Sequence, residues 1–412
     1  MVFGLNSQIY SQAIKVEVSK EGNSWKLLRD GKPYYINGAG GQTNLDLLIQ
    51  CGGNSFRTWS YEGAQKLLDD AQSKGLTVTL GLWLGHERHG FDYNDKWAVK
   101  GQMENFRNVV KKYKDHPALL MWGVGNEMDL FYSNFKVWNA VEDISKMIHE
   151  LDPNHPTMVV TAGLDVAEVQ LIQKMAPSID ILGVNTYGDI VNVPENIELY
   201  QWNKPYVVTE WGPNGHWEVE NTEWKVSIEQ TAHEKAETYS NRFNIIKNDV
   251  NNCFGSYVFL WGQKQEYTNT WYGLFNEKNM PTEAIDNICK AWSGEWPKNR
   301  APQLIDFKLD GKNGYDNIYL ESGKSYSAKA IVKDEKESDL EYIWELVPES
   351  TDKKAGGDVE EKPEALKGYI SKTEKLGEIE MKAPQMPGAY RLFIYASDGS
   401  AVTYANWPFY VK

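Results

Sequence analysis

Cysteine, long apolar runs and basic residues are all scarce in this chain, and each shortage excludes a class of function. Only Cys51, Cys253 and Cys289 occur among 412 residues. An odd count without a CxxC pair leaves one thiol over and excludes a disulfide framework. No apolar run reaches the eighteen residues of a membrane span, so no membrane insertion is expected. Lys and Arg number 43 against 57 Asp and Glu, and the net charge of −14 repels nucleic-acid phosphates and anionic lipid. The opening MVFGLNSQIYSQ lacks the basic start and long apolar core of a leader peptide. There is no GxSxG serine-hydrolase elbow. His86-Glu87-Arg88-His89 spaces its histidines at i, i+3, and no second histidine follows His233-Glu234, so neither forms a zinc motif. Gly38-Ala39-Gly40 and Gly123-Val124-Gly125 lack the third glycine of a dinucleotide fingerprint, and no metal or cofactor is expected.

Aromatic residues, by contrast, are abundant, with 16 Trp and 23 Tyr. Such rings pack cores and also suit sugar faces. Apolar positions flanking Asp30-Gly31 read as a hairpin over Leu27–Gly41. Eight short apolar runs follow: Tyr34–Gly38, Ser55–Trp59, Leu76–Leu84, Ala118–Gly125, Thr157–Ala162, Ile179–Asn185, Tyr206–Thr209 and Phe254–Trp261. Between them lie segments of helical spacing, including Gly63–Ser73, Met103–Tyr113, Trp138–Leu151 and Thr222–Asn248. Asp152-Pro153 stops one helix and Pro281-Thr282 starts another. Eight strands alternating with helices match a (β/α)8 barrel, an α/β fold, better than an open doubly wound sheet. Past Pro297 and Pro302 the helical period disappears. Alternating runs at Tyr326–Val332, Glu341–Leu346, Gly377–Met381, Tyr390–Tyr395 and Trp407–Val411 predict an immunoglobulin-like β-sandwich. The expected domains are thus a barrel over 1–297 and a sandwich over 298–412, with Pro348–Lys367 as an exposed, charge-rich loop.

Barrel chemistry sits at the C-terminal ends of the strands. The fourth run ends in WGVGNEMD, placing Asn126 and Glu127 at the mouth, and the seventh ends in VVTEWG, placing Glu210 there. A carboxylate following an apolar run is costly to bury without a task. Either residue alone reads equally well as a rim salt bridge. Together, on these two strands, they match the acid and the nucleophile or base of glycoside hydrolysis. Arg57 and Tyr187 are expected to hold Glu210 by charge and hydrogen bonding, and Asn126 to contact a sugar hydroxyl. His86 reads as a substrate contact or a loop hydrogen bond. Trp59, Trp83, Trp211, Trp217, Trp261 and Trp271 fall in or near β→α loops; Trp211 and Trp261 are the two expected to floor a sugar site.

Asn126-Glu127 on the fourth strand and Glu210 on the seventh resemble the signature of the clan of retaining (β/α)8 glycoside hydrolases that includes families 2 and 5. The resemblance implies Glu127 as acid/base and Glu210 as nucleophile. RDGKPYYING is similar to the barrel entry of family 2. Too few residues lie upstream for the domains that precede a family 2 barrel, which weighs against a β-galactosidase or β-glucuronidase. A barrel followed by one sandwich is similar to glycoside hydrolase family 158, and the separation 210 − 127 = 83 is consistent with it. That likeness implies an endo-β-1,3-glucanase acting on laminarin-type polysaccharide or oligosaccharide, secreted or at the cell surface; a monomer is expected. The alternatives are a β-mannanase or β-1,4-glucanase of the same clan, or a barrel that binds glycan without cutting it.

Overall fold

The protein is described here as a computed structural model covering residues 12–337 and 339–412. All but the last residue of the opening stretch discussed above lies outside the described residues. Strands β1 (Val16–Glu21), β2 (Ser24–Arg29) and β3 (Lys32–Pro33) form an antiparallel sheet. The turn joining β2 to β3 is Asp30-Gly31, both at positive φ (54° and 68°), as a two-residue hairpin loop requires. Eight parallel strands then close into a barrel: β4 (Ile36–Gly40), β5 (Ser55–Arg57), β6 (Thr77–Leu82), β7 (Leu119–Val124), β8 (Thr157–Ala162), β9 (Ile181–Asn185), β10 (Tyr206–Trp211) and β11 (Cys253–Val258). Helices α1 (Leu45–Gln50), α2 (Ala64–Ser73), α3 (Lys96–Tyr113), α4 (Lys136–Leu151), α5 (Val166–Met175), α6 (Val193–Leu199), α7 (Ala232–Asn248) and α8 (Glu283–Ser293) alternate with them along the chain.

Strands β6, β7, β10 and β11 are buried at every position, which explains their unbroken apolar runs. Val16 and Leu27 of the hairpin join Ile36, Met121, Met158 and Tyr257 in one core cluster. Val16 N–H donates to Asn154 O and Trp25 N–H to Asn251 O, on loops that precede β8 and β11. The hairpin therefore closes the end of the barrel opposite the strand C-termini.

Beyond the barrel are β12 (Gln303–Leu309), β13 (Ile318–Leu320), β14 (Ser325–Lys333), β15 (Glu341–Pro348), β16 (Ile370–Lys372), β17 (Glu378–Lys382), β18 (Gly388–Ser397) and β19 (Val402–Val411). They form two four-stranded sheets, ordered β12-β14-β17-β16 and β13-β19-β18-β15. Both sheets contribute to one core, including Phe307, Leu309, Met381, Leu392, Trp407 and Phe409. This is the expected sandwich. Strands β12, β13 and β16 add to the five runs visible in the sequence. After Pro348, which ends β15, the stretch to Lys367 is irregular but less exposed than expected: most of it is at least partly covered, Ser350 is buried, and buried Glu360 accepts from Tyr267 N–H at 2.7 Å and Lys354 N–H at 2.9 Å.

Two compact units partition the chain. One holds the chain up to Gly41, Gly53–Trp211 and Ile245–Val258; the other holds Gln42–Gly52, Gly212–Asn244 and Phe259–Lys412. The expected boundary at 297/298 falls inside the second unit. Cys51 and Cys289, 238 residues apart in sequence, are joined in that unit, and Cys253 is a buried free thiol. Among the described residues no helix is long and apolar enough to cross a membrane.

Candidate active site

Strand β7 ends in a sharp reversal of the chain. Gly125 follows it at φ 79°, where an added Cβ would lie 2.8 Å from Met128 Cγ, so both conformation and space call for glycine. Two residues later Glu127 itself has φ 52°, a left-handed conformation that a side chain of this size adopts only under constraint. The constraint is visible. Glu127 N–H donates to Val160 O at 2.8 Å, and both oxygens of Asp129 accept from Ala162 N–H at 3.0 Å, tying the turn to β8. Burial pushes the Asp129 carboxyl up to about 7.

Glu210 belongs to the last turn of pleat in β10 and is 6 % exposed. Its Oε1 accepts from Trp59 Nε1 at 2.8 Å and from Arg57 Nη1 at 3.2 Å, and Tyr187 OH donates to Oε2 at 3.5 Å. Arg57, itself buried, also donates to Thr209 O (2.9 Å), Asn185 Oδ1 (3.3 Å) and Asn126 Oδ1 (2.8 Å). Asn185 in turn donates through Nδ2 to Glu127 Oε1 at 2.9 Å and accepts from Thr209 Oγ1 at 2.8 Å. One continuous network thus runs from Glu127 through Asn185 and Arg57 to Glu210.

The two carboxyls have opposed surroundings. Around Glu210 are a guanidinium and two further donors. Glu127 has the Asn185 amide; withdrawal from water, and then the Glu210 charge, push its carboxyl well above the usual range, while Asn185 and the more distant Arg88 pull the other way. Such a pair assigns the proton to Glu127 and leaves Glu210 braced as the other partner.

The structure brings together Arg57, Asn126, Glu127, Tyr187 and Glu210 from the sequence reading. Asn126 Oδ1 is committed to Arg57 and Asn185, so its amide N–H is the end suited to a sugar hydroxyl. Arg57 braces Glu210 and Asn126 rather than presenting an open contact surface. His86 is buried after β6, its ring against Trp83 at 4.8 Å, with Arg88 Nε donating to its Nδ1 at 3.4 Å. The expectation that Trp211 and Trp261 floor a sugar site is not met, since both are 0 % exposed. Trp211 is the β10 residue after Glu210, so strand alternation turns it away from its neighbour's side. Trp261 packs face on against Trp292 and edge on to Phe275.

Two central residues escaped the sequence reading. Trp59 was noted only as a strand-end aromatic, yet its N–H holds Glu210. Asn185 opens the NTYG strand end, bonds Glu127 directly and reaches Glu210 through Arg57. The available signal was a polar amide closing an apolar run, the same signal that singled out Asn126.

Residues 41–294, well over half the chain, match the family described as glycosyl hydrolases family 2, TIM barrel domain. A β-glucuronidase of Paenibacillus borealis is 23 % identical over 333 residues, covering 71 % of this chain and 54 % of that protein. Human β-glucuronidase is 24 % identical over 221 residues, covering 45 % and 32 %. The chain thus spans about half the length of the first of these relatives and less of the second. Among solved structures, Bacteroides uniformis β-glucuronidase superposes with a TM-score of 0.54 at 12 % identity, covering 96 % of this chain and 48 % of that one. The likeness is one of fold. These findings correct the expectation of family 158. The Asn-Glu and Glu motifs are shared across the clan, and the choice of family 158 rests on the few residues upstream of the barrel, the single sandwich after it and the separation of the two acids, none of which distinguishes one barrel family from another. By its barrel, the chain belongs to glycoside hydrolase family 2.

Proposed function

We propose that the protein hydrolyses β-glycosides with retention of anomeric configuration. The observation that carries this reading is the contrast between Glu127 and Glu210 within one hydrogen-bonded network. Glu127, holding its proton, donates it to the glycosidic oxygen as that bond breaks. Glu210, aimed by Arg57, Trp59 and Tyr187, attacks the anomeric carbon and forms a glycosyl ester. Glu127, now a carboxylate, removes a proton from water, and the hydroxide so generated displaces Glu210. The asymmetry of the two sites supports this order of roles, because a raised carboxyl donates and a braced one attacks.

Endo-cleavage of β-1,3-glucan is the finer reading, and the family 158 likeness that supported it has been corrected. The relatives named above carry β-glucuronidase activity in their names, which makes a β-glucuronide the second substrate to compare. Proton NMR of the first product decides the mechanism, using aryl β-glucosides, β-galactosides and β-glucuronides alongside laminarin. The reading expects the β-anomer to appear first and to mutarotate later. An α-anomer as first product, or no hydrolysis of any β-glycoside in the panel, overturns it.

A further inference from the structure

Two residues after Glu127, the turn that leaves β7 holds another carboxyl, and the reaction leaves its task open. Both oxygens of Asp129 accept from Ala162 N–H at 3.0 Å, at the end of β8. Asp95 and Asp165 also accept backbone N–H groups, but they cap α3 and α5 from exposed positions. Asp129 is only partly exposed. Withdrawal from water pushes its carboxyl up to about 7, against the pull of the Ala162 N–H and its own N–H. The charges of Glu168 and Asp165, on and before α5, push the same way, and Glu168 accepts from Tyr132 OH at 2.7 Å. A clasp alone does not call for a charge held at this cost, because a neutral amide oxygen accepts the same N–H.

The clasp is one link in a closed circuit of bonds around the acid. Glu127 N–H donates to Val160 O at 2.8 Å, and Asp129 takes the N–H of Ala162, two residues further along β8. Gly163 N–H, next in the chain, donates to Asn185 O at 2.7 Å, and Asn185 Nδ2 returns to Glu127 Oε1 at 2.9 Å. Every member lies within the compact unit that holds Gly53–Trp211. The circuit works against the left-handed backbone of Glu127, which relaxes unless it is restrained.

We propose that Asp129 is a positioning residue of the glycosidase reaction, clasping β8 to aim Glu127 at the glycosidic oxygen and setting a negative charge beside it. The proposal rests on the glycoside-hydrolase reading. Beyond withdrawal from water, Glu210 on β10 and Asp129 favour the protonated form of Glu127, whereas the Asn185 amide on β9 and Arg88 after β6 favour the carboxylate. Arg57 on β5 is the other cation that feels the Glu127 charge. The Asp129 charge thus helps Glu127 to keep its proton until the leaving oxygen takes it. In the second step the same charge makes the Glu127 carboxylate a stronger base towards water. An amide at position 129 would aim the acid without tuning it.

The test compares the full chain with Asp129→Asn and Asp129→Ala, using an alkyl β-glycoside of the sugar that the enzyme hydrolyses, so that the acid is needed. The quantity read is the alkaline limb of the pH profile of kcat/KM, which reports the acid of the free enzyme. Asp129→Asn keeps an acceptor for Ala162 N–H and removes the charge, so the limb should move to lower pH by about one unit, the scale of one neighbouring carboxylate. Asp129→Ala should move the limb likewise and also lower the plateau by up to about 10²-fold, the scale of a misplaced acid. A purely structural role would lower the plateau and leave the limb in place. An unmoved limb in an Asp129→Asn protein shown to be folded by near-ultraviolet circular dichroism overturns the proposal. A second measurement needs no variant at 129: NMR of carboxyl-13C-labelled aspartate against pH, in the parent and in Glu127→Gln. One aspartate signal should titrate near neutrality with a further inflection as Glu127 ionises, and Glu127→Gln should abolish that inflection. If no aspartate signal responds to Glu127→Gln, the proposal is overturned. Failure of the catalytic reading is seen separately, as a chain whose aspartate signal responds to Glu127→Gln but that hydrolyses no β-glycoside.

Discussion

Glu127 is placed by a backbone conformation that its side chain disfavours and carries a carboxyl that burial disfavours ionising. Function and stability therefore oppose one another at this residue. Replacing Glu127 with Gln removes the proton donor and should reduce turnover of substrates with poor leaving groups by about 10²–10⁴-fold, and of activated aryl glycosides by less. The same substitution should stabilise the fold in a pH-dependent way. Folded Glu127 holds its proton more tightly than the unfolded chain does, so its contribution to stability is full below the unfolded value and is lost as pH rises through the folded one. The Tm advantage of Glu127→Gln over the parent should thus widen between about pH 4 and about pH 8 in calorimetric scans. A constant gap would remove the burial argument. Glu127 and Glu210 were legible in the sequence because each is an acid closing an apolar run. Asn185 and Trp59 were not, because a neutral residue at a strand end shows nothing of which carboxyl it will meet once the barrel closes.

Elements were legible where the pattern was periodic and lost where capping decided the boundary. All eight barrel strands lie within or overlap the apolar runs of the sequence. Helix α7 was read as starting at Thr222 but begins at Ala232. Thr222–Thr231 instead fold back on themselves, with Ile228 N–H bonded to Glu220 O and a bridge between Asn221 and Ser227. The true start is marked by a capping box: Thr231 N–H donates to Glu234 Oε2 at 2.7 Å and Glu234 N–H to Thr231 Oγ1 at 3.3 Å. That T-x-x-E signal lies in the sequence at Thr231–Glu234 and marks the start that helical spacing alone does not. Thr231→Ala should cost about 1 kcal/mol locally. Hydrogen exchange should show faster exchange in the first turn of α7 and little change in α3 or α4. Uniform protection in the variant would mean that tertiary packing, not the cap, sets this boundary.

Across the whole molecule, the sandwich is less separable than a change in sequence pattern suggests. Buried Glu229 accepts from Lys235 Nζ, Thr268 Oγ1, Thr270 Oγ1 (2.8 Å) and, from β19, Asn406 Nδ2 (2.7 Å). Arg391 of β18 donates to Asn406, to Glu349 and to Ser227 O, and Tyr404 OH donates to Thr270 O. Polar groups from the loops after β10 and β11 are satisfied by strands of the sandwich. Ending the chain at residue 298 would strip these partners and leave Glu229 and Lys235 without part of their shell, a change costing several kcal/mol for buried charges. Such a truncated chain should be aggregated or lack a cooperative unfolding transition, as judged by size-exclusion chromatography and calorimetry. A folded barrel ending at 298 would show that the network is dispensable. No spacing in the sequence foretold it, since its bonds to the sandwich join residues far apart in the chain, 134 for Thr270 and Tyr404, 164 for Ser227 and Arg391 and 177 for Glu229 and Asn406.

The central claim is that Glu210 becomes covalently bonded to the sugar while Glu127 shuttles the proton. Mass spectrometry of peptides after reaction with a 2-deoxy-2-fluoro aryl β-glycoside, chosen from the sugar that the enzyme hydrolyses, tests it most directly. The account predicts one added glycosyl group, located on Glu210 and missing from Glu210→Gln. Labelling of another carboxylate in its place, or time-dependent inactivation that Glu210→Gln retains, would contradict it.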